Sequence, residues 1–270
     1  MLMNADLTQK QFQKVCRLVY RHCGIHLKRG KEALVRARLM KRMRALKIGS
    51  IKEYLAYIDS DEGIWELEFM IDAMTTNKTS FFQESTHFHF LKEEILPKLK
   101  QNRLRLWSAA CSSGEEPFSI AITLRENLPD IDSRDVLVLG TDISNQMLEI
   151  AGKAAYRKDA IQDLPPHLIY KYFIRQNSGA GNFYSVNNAV RKMVRLARLN
   201  LIEQWPMKGL FNVIFCRNVM IYFDRATQQS LINRFYEYLE PGGYLFVGHS
   251  EGLSAIKHKL RYVKPAIYQK

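Results

Sequence analysis

Cysteine is scarce in this 270-residue sequence, and long hydrophobic runs are missing. Only four cysteines occur, scattered from Cys16 to Cys216, which excludes a disulfide framework and favours a reducing compartment. No run approaches the roughly 18 apolar residues that a bilayer span needs, and the start of the chain lacks the basic-then-apolar layout of a secretory signal. Internal repeats and low-complexity segments are also absent. We therefore expect a cytoplasmic globular protein without membrane insertion.

Acidic residues are few in the first part of the chain. Residues 1–50 contain 13 Lys and Arg but only Asp6 and Glu32 as acids, a net charge of +11. The whole chain has 40 basic and 27 acidic side chains, so the other 220 residues have 27 and 25, a net charge of +2. A local surplus of this size is typical of proteins that bind nucleic acid, anionic membranes or acidic proteins.

Residues 1–75 have the hydrophobic spacing of a small all-helical domain. Thr8 is suited to cap the first helix and Gly24 to end it. Helices are predicted over about 8–24, 31–47, 51–58 and 64–75. The second helix has a basic side, for which a solvated surface and a binding surface for an acidic partner both remain open. That basic side consists of Lys31, Arg38, Lys41 and Arg42.

From Arg103 onward, short apolar runs alternate with helical stretches. Apolar runs bounded by small or acidic residues predict strands that are buried on both faces, and their alternation with helices indicates a parallel, doubly wound sheet. Residues of about 170–195 interrupt this pattern with two aromatic, β-prone stretches around Gly179 and Gly181, which predict an inserted antiparallel hairpin. The segment LRYVKPAIYQ near the end predicts a closing pair of strands.

The first predicted strand leads into the turn AACSSG, from Ala109 to Gly114. Small residues in this place let a ligand approach the backbone at the carboxyl end of a parallel sheet. The turn matches neither a dinucleotide fingerprint nor a P-loop, so a pyrophosphate site is poorly supported. Glu115 and Glu116 at the helix start would instead favour a cationic or amino-bearing ligand. The alternative is a sharp turn followed by a solvated acidic helix start.

The second predicted strand ends at Asp142. A carboxylate in this position of nucleotide-binding sheets accepts hydrogen bonds from ribose hydroxyls. Together with the small-residue turn, Asp142 predicts an adenosyl ligand without pyrophosphate, and S-adenosylmethionine matches this description. Taken alone, Asp142 would be better explained as the N-cap of a helix that begins near Ser144.

Five segments together resemble the CheR-type methyltransferases, which methylate glutamates of bacterial chemotaxis receptors. They are MTTNKTSFFQE, WSAACSSGEEPFSIAITL, GTDIS, IFCRNVMIYF and GYLFVGHSE. The resemblance covers nearly the whole chain and implies a protein-glutamate O-methyltransferase that converts S-adenosylmethionine to S-adenosylhomocysteine. The implied fold is α/β: a small all-helical N-terminal domain, then a doubly wound, Rossmann-like methyltransferase sheet with an inserted small antiparallel β-subdomain.

The resemblance also implies domain limits and residue roles. A receptor-recognition domain would cover 1–75, a linker that contributes to the cofactor site 76–90, and the catalytic domain 91–270, with the insertion at about 170–195. Tyr222 and Gln83 would be catalytic. Cofactor contacts are implied for Asn77, Thr79, Gln83, Ala110, Glu115, Glu116, Asp142, Asn200, Leu201, Arg217 and Asn218.

One position departs from the family pattern. The family usually has Phe-Phe-Arg where this chain has Phe81, Phe82 and Gln83. Glutamine forms hydrogen bonds but has no fixed charge and no bidentate fork. We therefore expect weakened activity, or a nearby arginine that takes the role. A protein that binds the cofactor as a sensor, without methyl transfer, stays open as an alternative.

The resemblance further implies partners. Lys31, Arg38, Lys41 and Arg42 would steer the glutamate-rich cytoplasmic helices of chemoreceptors. The β-subdomain would take a C-terminal tether peptide of a receptor as an added strand. We expect a monomer that does not bind nucleic acid, although an RNA methyltransferase is the main rival because +13 also suits a phosphate backbone. No metal site is predicted: the ligand types gathered at Cys16, His22, Cys23 and His26 lack the spacing of a zinc ribbon or finger.

Overall fold

The structure is a computed structural model, which describes residues 6–178 and 181–270. These residues form two compact units. The first, which we call the helical unit, extends through Thr76 and includes Tyr222–Thr227. The second, the sheet unit, consists of Asn77–Ile221 and Gln228–Lys270. No helix in the described ranges has both the length and the apolar character needed to cross a membrane.

The helical unit contains the four predicted helices. They are α1 (Gln9–Cys23), α2 (Glu32–Leu46), α3 (Ile51–Ile58) and α4 (Ile64–Met74). The expected caps of α1 are confirmed: the Thr8 hydroxyl accepts from the Gln11 amide in a capping box, and Gly24 ends the helix at a φ of 73°. One apolar stripe of each helix is buried in a common core, which includes Val15, Val19, Val35, Leu39, Met43, Tyr54 and Met70.

The sheet unit is built on a seven-stranded sheet, most of which is the predicted parallel sheet. Its strands are β1 (Arg103–Ala109), β2 (Asp135–Asp142), β6 (Val194–Arg198), β7 (Phe211–Cys216), β8 (Leu239–Val247), β9 (Arg261–Lys264) and β10 (Ile267–Gln269). The order is β6-β2-β1-β7-β8-β10-β9. The first five strands are parallel, while the predicted closing pair β9 and β10 is antiparallel. All six residues of β7 are buried, as expected for a central strand covered on both faces.

A smaller antiparallel sheet has the order β3-β5-β4. Its strands are β3 (Ala155–Arg157), β4 (Phe173–Ser178) and β5 (Gly181–Val186), so the predicted hairpin of β4 and β5 is confirmed. Gly181 begins β5, and Gly179, the other predicted turn glycine, lies outside the described residues. Sequence analysis missed β3, because three residues that follow a helix directly carry too short a pattern. It also missed β6, whose arginines interrupt the apolar run.

The remaining helices complete the sheet unit. They are α5 (Ser85–Phe90), α6 (Glu115–Asn127), α7 (Asn145–Lys153), α8 (Lys158–Ile161), α9 (Pro166–Tyr172), α10 (Asn188–Arg191) and, mostly in this unit, α11 (Arg225–Tyr238). The segment before β1 packs on the sheet through aromatic rings. Phe81 lies 4.9 Å from Tyr156, and Phe88 lies 5.9 Å from Phe215, measured between ring centroids. Aromatic burial therefore holds this segment, as far as Phe90, against the sheet unit.

Candidate cofactor and active site

The carboxyl ends of four parallel strands meet at one edge of the large sheet. β1, β2, β7 and β8 end there at Ala109, Asp142, Cys216 and Val247. Unusual backbone conformations gather at this edge and in the segment before β1, and such conformations are common at functional sites. In the described chain, they comprise five of the eight non-glycine residues with positive φ: Phe82, Glu84, Ala110, Ser112 and Asn218.

The turn after β1 is packed too closely for larger residues. Gly114 has a φ of 95°, and a Cβ there would lie 2.8 Å from the Cβ of Ala151 and 3.1 Å from the Tyr156 hydroxyl. The Cys111 amide donates to the Thr141 carbonyl on β2 at 2.8 Å, which holds the turn against the neighbouring strand. The predicted turn of small residues is therefore present at the carboxyl edge of the sheet.

Asp142 joins this turn to the loop after β2. Its buried carboxylate accepts hydrogen bonds from the amides of Ser112 at 2.7 Å and Ser144 at 2.9 Å. Burial raises the pKa of Asp142, and these backbone donors partly offset the rise. The alternative role as N-cap is wrong, because Ser144 caps α7 with its own hydroxyl, which accepts from the Met147 amide. Each carboxylate oxygen of Asp142 retains acceptor capacity for a diol.

The acidic start of α6 is not solvated, so that alternative is also wrong. Glu115 is buried and accepts from the Ser113 hydroxyl at 2.7 Å. Glu116 accepts from the Ser108 hydroxyl at 2.7 Å and from Arg217 at 3.0 Å. Burial raises the pKa of both carboxyl groups, and for Glu116 the Arg217 guanidinium lowers it in part. Two anions are thus held beside the small-residue turn.

Arg217, just after β7, connects three parts of the site. Its side chain is almost fully buried and binds Glu116 and Glu84, the latter at 3.1 Å. It also donates to the backbone carbonyl of Gln83. Burial raises the pKa of Glu84, but Arg217 and the Asn218 amide group together bring it below its usual value. A buried guanidinium shared by two carboxylates fixes the segment before β1 against β7 and α6.

The structure places Gln83 inside this cluster. Its side-chain amide donates to the Asn218 side chain at 3.2 Å, and Asn218 in turn donates to Glu84 at 3.2 Å. Arg217 is the arginine that contacts Gln83, but each of its three guanidinium nitrogens already donates to a protein acceptor. The expectation that a nearby arginine replaces the one usual in the family therefore stays a prediction.

Comparison with known protein families identifies the chain. The family described as "CheR methyltransferase, SAM binding domain" matches residues 77–268, and the one described as "CheR methyltransferase, all-alpha domain" matches residues 10–75. The chain belongs to the CheR methyltransferase family. The resemblance inferred from the sequence and the predicted fold class are both confirmed.

Curated relatives in the CheR family align over nearly the full chain. A chemotaxis protein methyltransferase of Borreliella burgdorferi is 38% identical, covering 99% of this chain and 96% of the relative. Chemotaxis protein methyltransferase 2 of Pseudomonas aeruginosa is 39% identical, covering 97% and 93%. The chemotaxis protein methyltransferase of Salmonella typhimurium is 36% identical, covering 99% and 92%. This chain is accordingly an enzyme of the chemotaxis methyltransferase type that uses S-adenosylmethionine.

The residues at the sheet edge fit this cofactor. Asp142 offers acceptor capacity for a ribose, the turn before Gly114 allows close backbone approach, and Glu115 and Glu116 supply negative charge for an amino group. The individual contacts implied by the CheR resemblance stay predictions.

Four of those implied positions flank the edge. The Asn77 carbonyl accepts from the Ser112 hydroxyl at 3.0 Å, and Thr79 lies half-buried two residues later. Asn200 and Leu201 follow β6, where the Leu199 amide donates to the Asp142 carbonyl at 2.9 Å. The Asn200 side chain binds Glu203 at 2.8 Å, and Leu201 is buried. The fold thus gathers Asn77, Thr79, Ala110, Asn200 and Leu201 within the sheet unit.

Tyr222 belongs to the helical unit instead. There its carbonyl accepts from the His26 amide at 2.7 Å. Burial lowers the pKa of Arg38, and the Tyr222 phenol acts in the opposite direction, so these two side chains are electrostatic neighbours. Arg38 and Tyr222 were implied in different roles, as a receptor contact and a catalytic residue, yet they are close within one unit.

The basic side of α2 is only partly exposed, because two of its four residues bind acceptors within the helical unit. Arg42 forms a two-pronged pair with the buried Glu66 at 2.8 and 2.7 Å. Arg38 donates to the Met74 carbonyl at 2.5 Å and to the Thr76 hydroxyl at 3.0 Å. The planar guanidinium reaches acceptors on and after α4, which draws both arginines inward. Of the four residues, Lys31 and Lys41 are the exposed ones.

Sequence analysis assigned no role to Glu251, a central acceptor of the site. One of its carboxylate oxygens accepts from the amides of Asn218 and Gly248, both at 2.7 Å, and the other accepts from the Ile221 amide at 3.1 Å. A Cβ on Gly248 would lie 2.6 Å from that carboxylate. Glu251 therefore ties the turn after β7 to the turn after β8. The signal available was an acid three residues after a glycine at the strand end, in GHSE.

Proposed function

We propose that this methyltransferase transfers the methyl group of S-adenosylmethionine to glutamate side chains of bacterial chemoreceptors. The relatives named above are chemotaxis protein methyltransferases, and both CheR domains match this chain. The observation that carries the proposal is the buried carboxylate of Asp142 beside the small-residue turn. This arrangement suits an adenosyl ligand without phosphates.

Methyl transfer to a glutamate carboxylate requires little proton transfer by the protein. S-adenosylmethionine supplies a methyl group on a positively charged sulfur, which a glutamate carboxylate, already ionised near neutral pH with a usual pKa of about 4.3, attacks directly. The carboxylates of Glu84, Glu116, Asp142 and Glu251 are all held by hydrogen-bond donors of the protein. They therefore position the turns, and orientation of the reactants can contribute about 7–11 kcal/mol.

The test is transfer of labelled methyl from S-adenosylmethionine to a purified chemoreceptor cytoplasmic domain. We expect the label on glutamate residues and its release by mild base, which distinguishes an ester from methylated nitrogen. Asp142→Asn should weaken transfer, whereas Asp135→Asn at the exposed start of β2 should leave it unchanged. Label that resists base would contradict carboxyl methylation.

Two rival functions have separate tests. A sensor would bind the cofactor but transfer nothing, so single-turnover transfer excludes it. An RNA methyltransferase would show binding to RNA that weakens steeply with salt, and no binding to receptor. The RNA test matters because most of the surplus charge lies in the helical unit, where the rings of Tyr20, Trp65 and Phe69 are also exposed.

The exposed lysines of α2 support binding of an acidic receptor surface. Lys31 and Lys41 lie in the +11 segment and face solvent. Receptor helices rich in glutamate would be steered toward them. Arg38 and Arg42 add positive charge nearby, although both are anchored by hydrogen bonds within the helical unit.

A receptor tether peptide would bind along β4. The order β3-β5-β4 leaves β4, six residues long, at the edge of the small sheet, and the opposite edge strand β3 has only three residues. Ile174 on β4 is 57% exposed, and Tyr170 on α9, the helix that precedes β4, is 94% exposed. An added strand gains backbone hydrogen bonds at such an edge. Titration with receptor C-terminal peptides tests this, with Ile174→Asp expected to abolish binding and Ile221→Asp, also exposed, expected to retain it.

We further propose a monomer that works in the cytoplasm. The four cysteines are free thiols, which suits a reducing compartment. One chain also supplies every residue implied in the site. Light scattering of the purified protein, with and without S-adenosylhomocysteine, tests the oligomeric state.

A further inference from the structure

His87 in α5 is a buried histidine without a hydrogen-bond partner. It is fully buried, and neither of its ring nitrogens forms a hydrogen bond within the described residues. A buried polar group without a partner is energetically costly, so each such group calls for an explanation. The Nδ1 atom faces the Glu84 carboxylate at 3.4 Å, a separation longer than a normal hydrogen bond.

A second histidine lies beside this pair. The rings of His87 and His249 meet edge to face with centroids 4.8 Å apart. One ligand atom each from Glu84, His87 and His249 lie within 4.8 Å of one another. His249 follows β8 and is exposed, with its Nε2 3.2 Å from the Thr86 hydroxyl.

The shortest of these distances suits a metal centre. Two ligands of one tetrahedral zinc ion, at bond lengths of about 2.0–2.2 Å, lie about 3.3–3.6 Å apart. The 3.4 Å between Glu84 and His87 is therefore already suitable. Only His249 has to move closer, and its side chain is exposed.

We propose that Glu84, His87 and His249 bind one divalent transition-metal ion, for which Zn²⁺ is the best match. Two imidazoles and one carboxylate are the ligand types that zinc prefers, and water would complete the coordination. A cavity of about 860 Å³ lined by His87, Thr86 and His249 gives an ion and its water access to the site.

The surrounding charge favours a cation even though Arg217 lies close. Glu84 and Glu116 bind Arg217 directly, and Glu251 holds the neighbouring turn. Two carboxylates thus share one guanidinium, and a divalent ion would offset the negative charge that this leaves. The ion would tie α5 to the end of β8 and position Glu84, which in turn holds Arg217 and Asn218. No step of methyl transfer passes through this metal, and the proposal does not depend on the receptor as substrate.

The experiment uses the full chain without an affinity tag, stripped of metal by a chelator. Calorimetric titration with Zn²⁺ should show that one ion binds per chain. Co²⁺ as a probe should give the visible absorption of a tetrahedral site, without thiolate charge-transfer bands. His249→Ala should weaken binding by more than about tenfold, and His249→Gln, which keeps a partner for Thr86, should do the same.

Two matched controls locate the site. His89→Ala removes another exposed histidine that lines the same cavity, and Cys16→Ser removes the most exposed thiol. Both should bind the ion as the wild type does. The proposal is overturned if the wild type binds no stoichiometric ion, if both His249 variants bind as tightly as the wild type, or if Cys16→Ser abolishes binding. Near-ultraviolet circular dichroism verifies that each variant is folded.

Discussion

The helical unit and the sheet unit use charged side chains in opposite ways. Residues 1–50 carry a net charge of +11, and Lys31 at the N-cap of α2 and Lys41 within α2 are exposed to solvent. Residues 51–270 are nearly neutral, at +2, yet the sheet unit buries the carboxylates of Glu115, Asp142 and Glu251 and the guanidinium of Arg217 at a single edge. Net charge therefore indicates where an acidic partner would bind, while buried charge indicates the position of the candidate cofactor and active site.

Each unit also contains an arginine that is paired with a buried carboxylate. The two arginines differ in how many separate elements they connect. Arg42 binds Glu66 within the helical core, where the Tyr54 hydroxyl donates to the same carboxylate at 2.7 Å. Arg217 joins Glu84 and Glu116 from different elements around the sheet edge. The first pair stabilises a domain, whereas the second also positions the turns of the candidate site.

Loss of Arg217 should have the largest effect. Arg217→Met leaves Glu84 and Glu116 buried without their cation, and we expect a loss of about 3–5 kcal/mol in the free energy of unfolding. Urea unfolding measures this. Arg157→Met removes an exposed arginine paired with exposed Asp159 and should change stability by less than about 1 kcal/mol. Equal effects of the two changes would remove the contrast between buried and surface charge.

Asp142→Asn should have the second-largest effect. Asparagine keeps the size but loses the charge that strengthens the bonds from Ser112 and Ser144 and, we expect, from a ribose. Because hydrogen bonds to charged groups contribute about 1.5–3 kcal/mol, S-adenosylhomocysteine should bind about 10- to 100-fold more weakly. Calorimetry measures the affinity, and Asp135→Asn is the control. Unchanged affinity would show that Asp142 serves only the fold.

Charge reversal on α2 tests the helical unit. Lys31→Glu combined with Lys41→Glu should slow receptor methylation about 3- to 10-fold at low salt and leave S-adenosylhomocysteine binding intact, because steering by exposed charge is screened by salt. Lys257→Glu with Lys259→Glu makes the same charge change in the sheet unit, where both lysines are exposed. If both pairs slow methylation equally, overall charge and not α2 is responsible.

Arg42→Glu sharpens the same comparison. It places a negative charge against the buried Glu66, so it should destabilise the helical unit instead of acting only on receptor binding. Its thermal midpoint should fall clearly below that of the two-lysine variant. A thermal midpoint equal to that of the two-lysine variant would mean that Arg42 acts as a surface charge and does not stabilise the core.

The smallest effect is expected at Gln83. Gln83→Arg restores the residue usual in the family, and a fixed charge beside Asn218 should raise methyl transfer by only a few-fold, because solvent partly screens the charge at this half-buried position. Single-turnover rates measure this, with Gln83→Lys as the control for charge without the planar fork. Identical rates for all three proteins would show that the position is not critical.

Much of the fold could be predicted because its signals are local. The Thr8 cap, the Gly24 stop, the apolar runs of β1 and β7 and the closing strands each depend on a short segment. The turn before Gly114 and the acid at Asp142 likewise indicated a ligand of the adenosyl type. Strands β3 and β6 were not predicted, because β3 is too short and β6 too interrupted by arginines to form a recognisable apolar run.

The sequence by itself determined the two-part organisation, the parallel sheet and the family. Only the tertiary structure decided which charges are buried and what they bind. Arg42 and Arg217 look alike in sequence, yet one holds Glu66 in a helical core and the other binds two carboxylates from distant segments. Glu84, His87 and His249 meet only when α5 packs against the end of β8. Hydrogen bonding and desolvation depend on distances in three dimensions, which local patterns along the chain do not contain.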